Sequence, residues 1–222
     1  MKTFNLALAA LAAASTCGLA MAQKAGDISA SVGFTQISPS VSSGNLSAPS
    51  FPGTQIGVTN NSQLTLAFNY AVTDNINLHL PVGLGFKHNI NGAGSIAGVG
   101  KLGDTKAFPI TLIGQYRFLA TNAAFRPFVG AGASYVKFSD TNGTGTLTAL
   151  TNPGGPATGL SFASKLAPTV QLGGVFNINS GWYVEGTYSK TFLKTKGTLT
   201  TGQTIDVKID PNAYSFQVGY KY

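Results

Sequence analysis

The chain has 222 residues, a formal net charge of +7, and only 9% charged residues, against about 25% in an ordinary soluble domain. It is 43% hydrophobic with a mean hydropathy of +0.16. Beyond its leader-like start, however, no apolar run approaches the ~20 residues of a spanning helix. These values exclude a disordered chain, which needs high charge and few aromatics, a helical membrane protein, and the charged surface of a soluble enzyme.

The first element in chain order is a targeting segment. Lys2 supplies a positive start, residues 6–14 a short apolar stretch, and Ala20-Met21-Ala22 a small-x-small cleavage site before Gln23. Residues 1–22 therefore read as a secretory signal, and residues 23–222 as one exported domain. Cys17 is the single cysteine and falls within the leader, so the exported domain is expected to hold no disulfide and no thiolate chemistry.

The remainder alternates with period two, which on a β-strand separates the two sets of side chains onto opposite faces. Ile28, Ala30, Val32 and Phe34 oppose Ser29, Ser31, Gly33 and Thr35. Leu64, Leu66, Phe68, Tyr70 and Val72 oppose Gln63, Thr65, Ala67, Asn69 and Ala71. Ile76, Leu78, Leu80, Val82, Leu84 and Phe86 oppose Asn77, His79, Pro81, Gly83, Gly85 and Lys87. Phe108, Ile110, Leu112, Tyr116 and Phe118 oppose Pro109, Thr111, Ile113, Gln115 and Arg117. Residues 125–138 carry small residues on both faces and read as a long strand. Val170, Leu172, Phe176 and Ile178 oppose Thr169, Gln171 and Asn177. Trp182, Val184, Tyr188 and Phe192 oppose Glu185, Thr187, Ser189 and Thr191. Tyr214, Phe216, Val218, Tyr220 and Tyr222 oppose Ser215, Gln217, Gly219 and Lys221.

This makes eight strands, and a tilted strand needs ~9–11 residues to cross a bilayer. The polar faces carry Gln, Thr, Ser, Asn and Gly rather than the Lys and Glu of a soluble sandwich. Only a closed sheet is tolerated in lipid, because an open edge would strand its backbone groups. The pattern therefore predicts an all-β, eight-stranded antiparallel transmembrane β-barrel of the outer-membrane type. Connections near residues 73–75, 119–124 and 179–181 are tight, whereas 39–61, 89–106, 140–165 and 194–205 are long and rich in Gly, Ser, Thr and Pro. Short periplasmic turns and longer outer loops place both termini on the periplasmic side of a Gram-negative outer membrane. Two aromatic belts are expected at the interfaces. Tyr70, Tyr116, Phe118, Trp182, Tyr220 and Tyr222 would stand by the turns, and Phe34, Phe86, Phe108, Phe138, Phe192 and Tyr214 by the loops.

The segments Asn61-Ser62-Gln63-Leu64, Tyr70-Ala71-Val72-Thr73-Asp74-Asn75-Ile76 and Phe86-Lys87-His88 resemble the second and third strands of the OmpW family. Pro109-x-Thr111-Leu112-x-x-Gln115-Tyr116-x-Phe118 and Phe125-Arg126-Pro127-Phe128-Val129-Gly130-Ala131-Gly132 resemble its fourth and fifth. The resemblance covers nearly all of the exported chain, tightly in the strands and loosely in the loops. It implies a narrow, porin-like channel or binding conduit for small hydrophobic solutes, with lateral exit into the membrane. It also implies that Tyr220 and Tyr222 present an aromatic terminus to the barrel-assembly machinery. In this chain the inward faces of strands three and seven lack large apolar residues, carrying His79, Pro81, Gly83 and Gly85, and Glu185, Thr187, Ser189 and Thr191. A polar lumen rather than a hydrophobic constriction is therefore expected, and this leaves a second function open. In that alternative the barrel does not transport, and its loops serve adhesion, stress protection, or phage and bacteriocin attachment.

Glu185 is the only glutamate. A buried carboxylate is costly unless paired, so the expected partner is Arg117, Arg126 or His79, forming a polar plug at the barrel floor. Gln63, Thr65, Asn69, Pro81, Gln115, Gln171, Thr187, Ser189 and Gln217 are the expected lumen lining. A His79–Glu185–Ser189 triad is disfavoured, since residues four apart on one strand lie ~13 Å apart; no catalysis is expected. Neither histidine has metal-ligand spacing, and no cofactor is expected. The Gly98-x-Gly100-x-x-Gly103 match lacks the strand-to-helix context of a dinucleotide site. Lys101, Lys106, Lys165, Lys194, Lys196 and Lys208 form an expected basic outer rim, suited to lipopolysaccharide phosphates or to loop solvation. Export disfavours nucleic acid as a partner despite the sequence pI of about 9.5.

Overall fold

A computed structural model describes residues 24–222; the leader expected at 1–22 lies outside the described residues. In chain order the elements are β1 (Ile28–Ser38), β2 (Ser42–Ser43), β3 (Thr54–Val58), β4 (Asn61–Ala71), β5 (Ile76–Gly83), β6 (Phe86–Gly94), β7 (Lys101–Arg117), β8 (Phe125–Gly143), α1 (Gly145–Thr151), β9 (Leu160–Phe162), β10 (Lys165–Asn177), β11 (Trp182–Thr191), β12 (Lys194–Leu199), β13 (Thr204–Lys208) and β14 (Asn212–Lys221).

The main sheet runs β3-β6-β7-β5-β4-β1-β14-β11-β10-β8, and an additional β7–β8 pairing closes it. With β5 and β6 counted as one interrupted strand, eight antiparallel strands form the ring, so no barrel strand is left as a free edge. The alternation sorts as the sequence predicts over most of the wall. Leu64, Leu66, Phe68, Ile110, Leu112, Val170, Leu172 and Phe216 stand exposed on the outside, while Thr65, Asn69, Thr111, Gln115, Gln171 and Gln217 are buried within. Here an exposed apolar band is the surface a bilayer requires. At the tight-turn end the termini are tied in, with Tyr222 N donating to Ile28 O at 2.9 Å and Ala25 N to Asp74 Oδ1 at 3.1 Å.

Two expectations are corrected. The four long connections are largely structured. They contain β2, β3, the outer ends of β6, β7 and β8, then α1, β9 and β12. A four-stranded sheet, β2-β13-β12-β9, crowns the barrel. Its apolar side (Leu199, Ile205, Val207) joins Leu46, Ile96, Leu102, Leu147 and Leu193 in the largest buried apolar cluster. Strands as short as three residues carry too few alternations to be distinguished from Gly- and Thr-rich loop.

The second correction concerns parity. Leu84 and Phe86 were expected on the same lipid face, but Leu84 is 80% exposed and Phe86 only 2%. Between them the strand breaks at Gly85, whose φ of +88° is a left-handed conformation that glycine adopts without penalty. A one-residue slip sends every later side chain to the opposite face. Phe86, His88 and Ile90 are therefore buried inside and Lys87 points outward. Phe138 likewise leaves the expected belt and packs inward on Phe162, with ring centroids 5.6 Å apart.

Candidate functional site: a floored lumen with an open seam

At the turn end the inward side chains of seven strands knit a polar floor. Glu185 on β11, fully buried, meets Arg117 of β7, Nη2 to Oε2 at 3.4 Å, and His79 Nδ1 of β5 lies 3.9 Å from its Oε1. Asn69 Oδ1 accepts from Asn77 Nδ2 at 3.0 Å and lies 2.8 Å from His79 Nδ1. The Asn69 amide oxygen can only accept, so that imidazole nitrogen carries the proton. Gln115 Oε1 accepts from Asn77 (3.0 Å) and Arg117 (3.2 Å), while Gln115 Nε2 donates to Gln171 Oε1 at 2.7 Å. Ser31 Oγ donates to Gln217 Oε1 at 2.6 Å. The Arg117 guanidinium also sits 6.0 Å from the centre of the Phe128 ring.

Arg126, grouped with this cluster from the sequence, points away from Glu185. It caps the turns beneath, donating to Asp74 O at 2.7 Å and to Phe118 O at 3.3 Å. Ser189 accepts from Gln171 Nε2 at 3.1 Å, which ties it to the wall rather than to a triad. The floor also uses residues not singled out in the sequence: Asn77, Phe128, Tyr183 and Lys221. Lys221 Nζ donates to Asn177 Oδ1 at 2.6 Å, and Tyr183 Oη accepts from Asn69 Nδ2 at 3.3 Å. Tyr183 shares Glu185's odd parity on β11 and was legible on that ground. The result is a hydrogen-bonded partition across the barrel.

Above it lies a cavity of about 130 Å³. Its lower wall holds His79, Thr65, Gln171 and Gln217, with Thr187, Ser189 and Pro81 also on the lining. Gln63, Asn69 and Gln115, expected on that lining, do not reach it; Asn69 and Gln115 are consumed in the floor. Its outer part is apolar, through Phe86, Ile90, Val136, Phe138, Leu193 and Ile209. This corrects the expectation of a uniformly polar lumen. The Gly85 break contributes to that apolar part by turning Phe86 and Ile90 inward.

Beside the cavity the wall is incomplete. The β5–β7 ladder ends at His79–Ile113, and the β6–β7 ladder resumes only at Phe86–Ala107. Arg117 N donates to Asn75 O at 2.8 Å, so on this seam the odd-numbered residues of both strands address each other. Pro81 and Pro109 occupy two of those odd positions and have no N–H to give. Both prolines and Val82, whose side chain belongs to the outer face, line the cavity, which therefore runs along the unpaired stretch.

The six outer lysines stand beyond the lipid-facing band, on strands rather than in loops. Lys101 pairs with Asp104 at 2.6 Å, Lys196 with Asp206 at 3.8 Å and Lys208 with Asp210 at 3.2 Å. Lys106 lies 5.0 Å from the centre of the Phe108 ring, and Lys165 and Lys194 open β10 and β12 at exposed positions. The rim is therefore a mixed-charge surface rather than a ring of free cations.

Comparison with known proteins agrees with this architecture. The chain is 30% identical to Outer membrane protein W of Vibrio cholerae over 228 residues, covering 100% of both chains. It is 27% identical over 176 residues to the dibenzothiophene metabolism operon protein PahQ of Pseudomonas aeruginosa, covering 77% of this chain and 76% of that one. The crystal structure of the outer membrane protein OprG from Pseudomonas aeruginosa superposes with a TM-score of 0.81 at 26% identity, covering 93% of this chain and 99% of that one. A profile of the OmpW family matches residues 24–222, all of the described barrel, and the chain belongs to the OmpW family of outer-membrane β-barrels.

Proposed function

We propose that the barrel conducts small apolar molecules from the cell exterior into its lumen and releases them sideways into the outer membrane. The observation that carries this reading is the unpaired β5–β7 seam, which lies against an apolar cavity closed below by the polar floor. A solute entering from outside meets Phe86, Ile90 and Phe138, whose burial of apolar surface favours it. Below, the Glu185–Arg117 floor leaves no straight aqueous route. Along the seam the barrier is lowered, because Pro81 and Pro109 each lack the N–H that would donate one of the ladder bonds to be broken. The relative named for dibenzothiophene metabolism supports an apolar class of solute. On the same reading the outer lysines meet lipopolysaccharide phosphates, and Tyr220 and Tyr222 are the residues the barrel-assembly machinery takes hold of.

The test exploits the absence of cysteine after residue 17. Continuing the β5–β7 register brings Val82 opposite Ile110 on the lipid face. A Val82→Cys/Ile110→Cys pair oxidised across the seam should abolish protein-dependent naphthalene uptake by proteoliposomes, and reduction should restore it. Uptake unaffected by a crosslink verified on gels would refute sideways release.

A further inference from the structure

The cavity carries chemistry that a conduit for plain hydrocarbon does not need. Midway up its wall, inward hydroxyls are hydrogen-bonded to one another around the barrel in two arcs. In the first, Thr111 meets Ser134 at 2.8 Å, Ser134 meets Thr169 at 2.6 Å, and Thr169 meets Thr191 at 2.9 Å. In the second, Thr65 meets Thr35 at 2.7 Å and Thr35 meets Ser215 at 2.8 Å. All seven side chains line the cavity, and Thr35, Thr65, Thr111, Ser134 and Thr169 are buried. They come from seven of the eight barrel strands. The missing strand is β5, which offers Pro81 between Thr65 of β4 and Thr111 of β7, at the open seam.

Counting hydrogens gives these arcs a function. Each hydroxyl has one hydrogen to donate and two lone pairs to accept with. The first arc holds four hydrogens and three hydroxyl–hydroxyl bonds; the second holds three hydrogens and two such bonds. Each arc therefore keeps one hydrogen that its own chain cannot use, and has accepting capacity left except at Thr65, which also accepts from Gln217 Nε2 at 3.3 Å. The direction of such a chain can reverse by rotation of the hydroxyls. The free O–H then moves from one end of the arc to the other, and the arc can offer a visitor either a donor or an acceptor. Gln63 Nε2, also buried without a hydrogen-bond partner among the described residues, lies off the cavity lining and adds nothing to this count. An apolar solute leaves the spare hydrogen of each arc unused, and unpaired buried polar groups are expensive.

We propose that the hydroxyl arcs form a head-group site, and that the solutes this barrel prefers are small apolar molecules bearing one hydrogen-bonding oxygen, such as alcohols, phenols or ketones. This rests on the conduit reading above and narrows its substrate class. The apolar body occupies the outer part of the cavity among Phe86, Ile90 and Phe138, and the oxygen takes up the spare hydrogen of an arc. Because the arcs lead to Pro81 from both sides, the oxygen is passed hydroxyl to hydroxyl towards the seam, where the solute leaves.

Proteoliposomes supplied with naphthalene or 1-naphthol test this, with the rate into protein-free liposomes subtracted so that simple partitioning cancels. One neutral hydrogen bond corresponds to roughly a two- to tenfold effect. The protein-dependent rate at low concentration should favour 1-naphthol over naphthalene by that factor. The near-isosteric Thr169→Val variant, which cuts the first arc at its centre, should lose the preference while still taking up naphthalene; Thr169→Ser should keep it. Equal uptake of both solutes by the unmodified protein overturns the head-group site and leaves the conduit standing. Protein-dependent uptake of neither solute overturns the conduit and the site together. If Thr169→Val does not fold, the comparison of the two solutes on the unmodified barrel still decides.

Discussion

Glu185→Gln is the most informative single change. The carboxylate is fully buried and faces Arg117 at 3.4 Å, with Arg117 itself 3% exposed. At that distance an effective dielectric of about 20 gives roughly 5 kcal/mol of attraction, and the desolvation of both ions offsets most of it. What survives single substitution is the important quantity. Glutamine preserves the shape but removes the anion beside the Arg117 cation, which keeps Gln115 Oε1 at 3.2 Å and the Phe128 ring among its neighbours. An uncompensated buried charge costs about 3–5 kcal/mol, and the retained amide oxygen sets the expectation at the lower end, about 3. Arg117→Met should cost a similar amount by stranding Glu185. The double variant Glu185→Gln/Arg117→Met removes both charges and should return to within about 1 kcal/mol of the original, giving a coupling of several kcal/mol in a double-mutant cycle. Equilibrium unfolding in denaturant from lipid vesicles reads this directly. Trp182, the single tryptophan, stands on the lipid face with its ring 5.2 Å from that of Tyr220, and its emission reports loss of the barrel. Additive costs in the double variant would refute an ion-pair lock in the floor. Planar-bilayer conductance gives a second readout, since either single variant should raise it by loosening the partition.

Two further outcomes are expected. Gly85→Ala should destabilise by roughly 1–2 kcal/mol, the cost of a left-handed alanine, and more because its Cβ would fall 2.5 Å from the Phe108 ring. Unfolding titrations check this, and an unchanged midpoint would remove Gly85 as the cause of the parity switch. At the outer end, hydrogen bonding from Lys101 holds the Asp104 carboxyl below its ordinary value. A depressed folded pKa stabilises above the unfolded value of about 3.9 and loses that contribution as the pH falls through the folded one. Hydrogen-exchange protection in the outer β6–β7 hairpin, corrected for the intrinsic pH dependence of exchange, should therefore fall on acidification, and Asp104→Asn should remove that pH dependence while lowering protection at neutral pH.

The polar floor was only partly legible in the sequence. Glu185, Arg117 and His79 could be assembled because a sole glutamate on an inward face requires a partner. Arg126 could not be separated from them, since its inward parity and nearness to a turn fit the carbonyl-capping role equally well. Tyr183 and Asn77 have the correct parity but carry no charge, so nothing in the local pattern distinguished them from ordinary lining. The seam is a different case. Pro81 and Pro109 are visible as prolines in strands, but two missing N–H groups become one gap only when their strands are neighbours in register.

The sequence by itself determined the barrel, the strand count, the lipid-facing band and most of the inward polar set. Those follow from a two-residue period and from charge content, and both are properties of neighbouring residues that no distant contact is needed to read. Only the tertiary structure decided that the loops crown the barrel with a second sheet, that Gly85 turns Phe86 and Ile90 into the lumen, and that two prolines fall on neighbouring strands of one open seam. The physical reason is that alternation fixes a side chain's face only relative to its immediate neighbours. A one-residue break resets that reference, and closure of the sheet brings the polar ends of separate strands to a common depth.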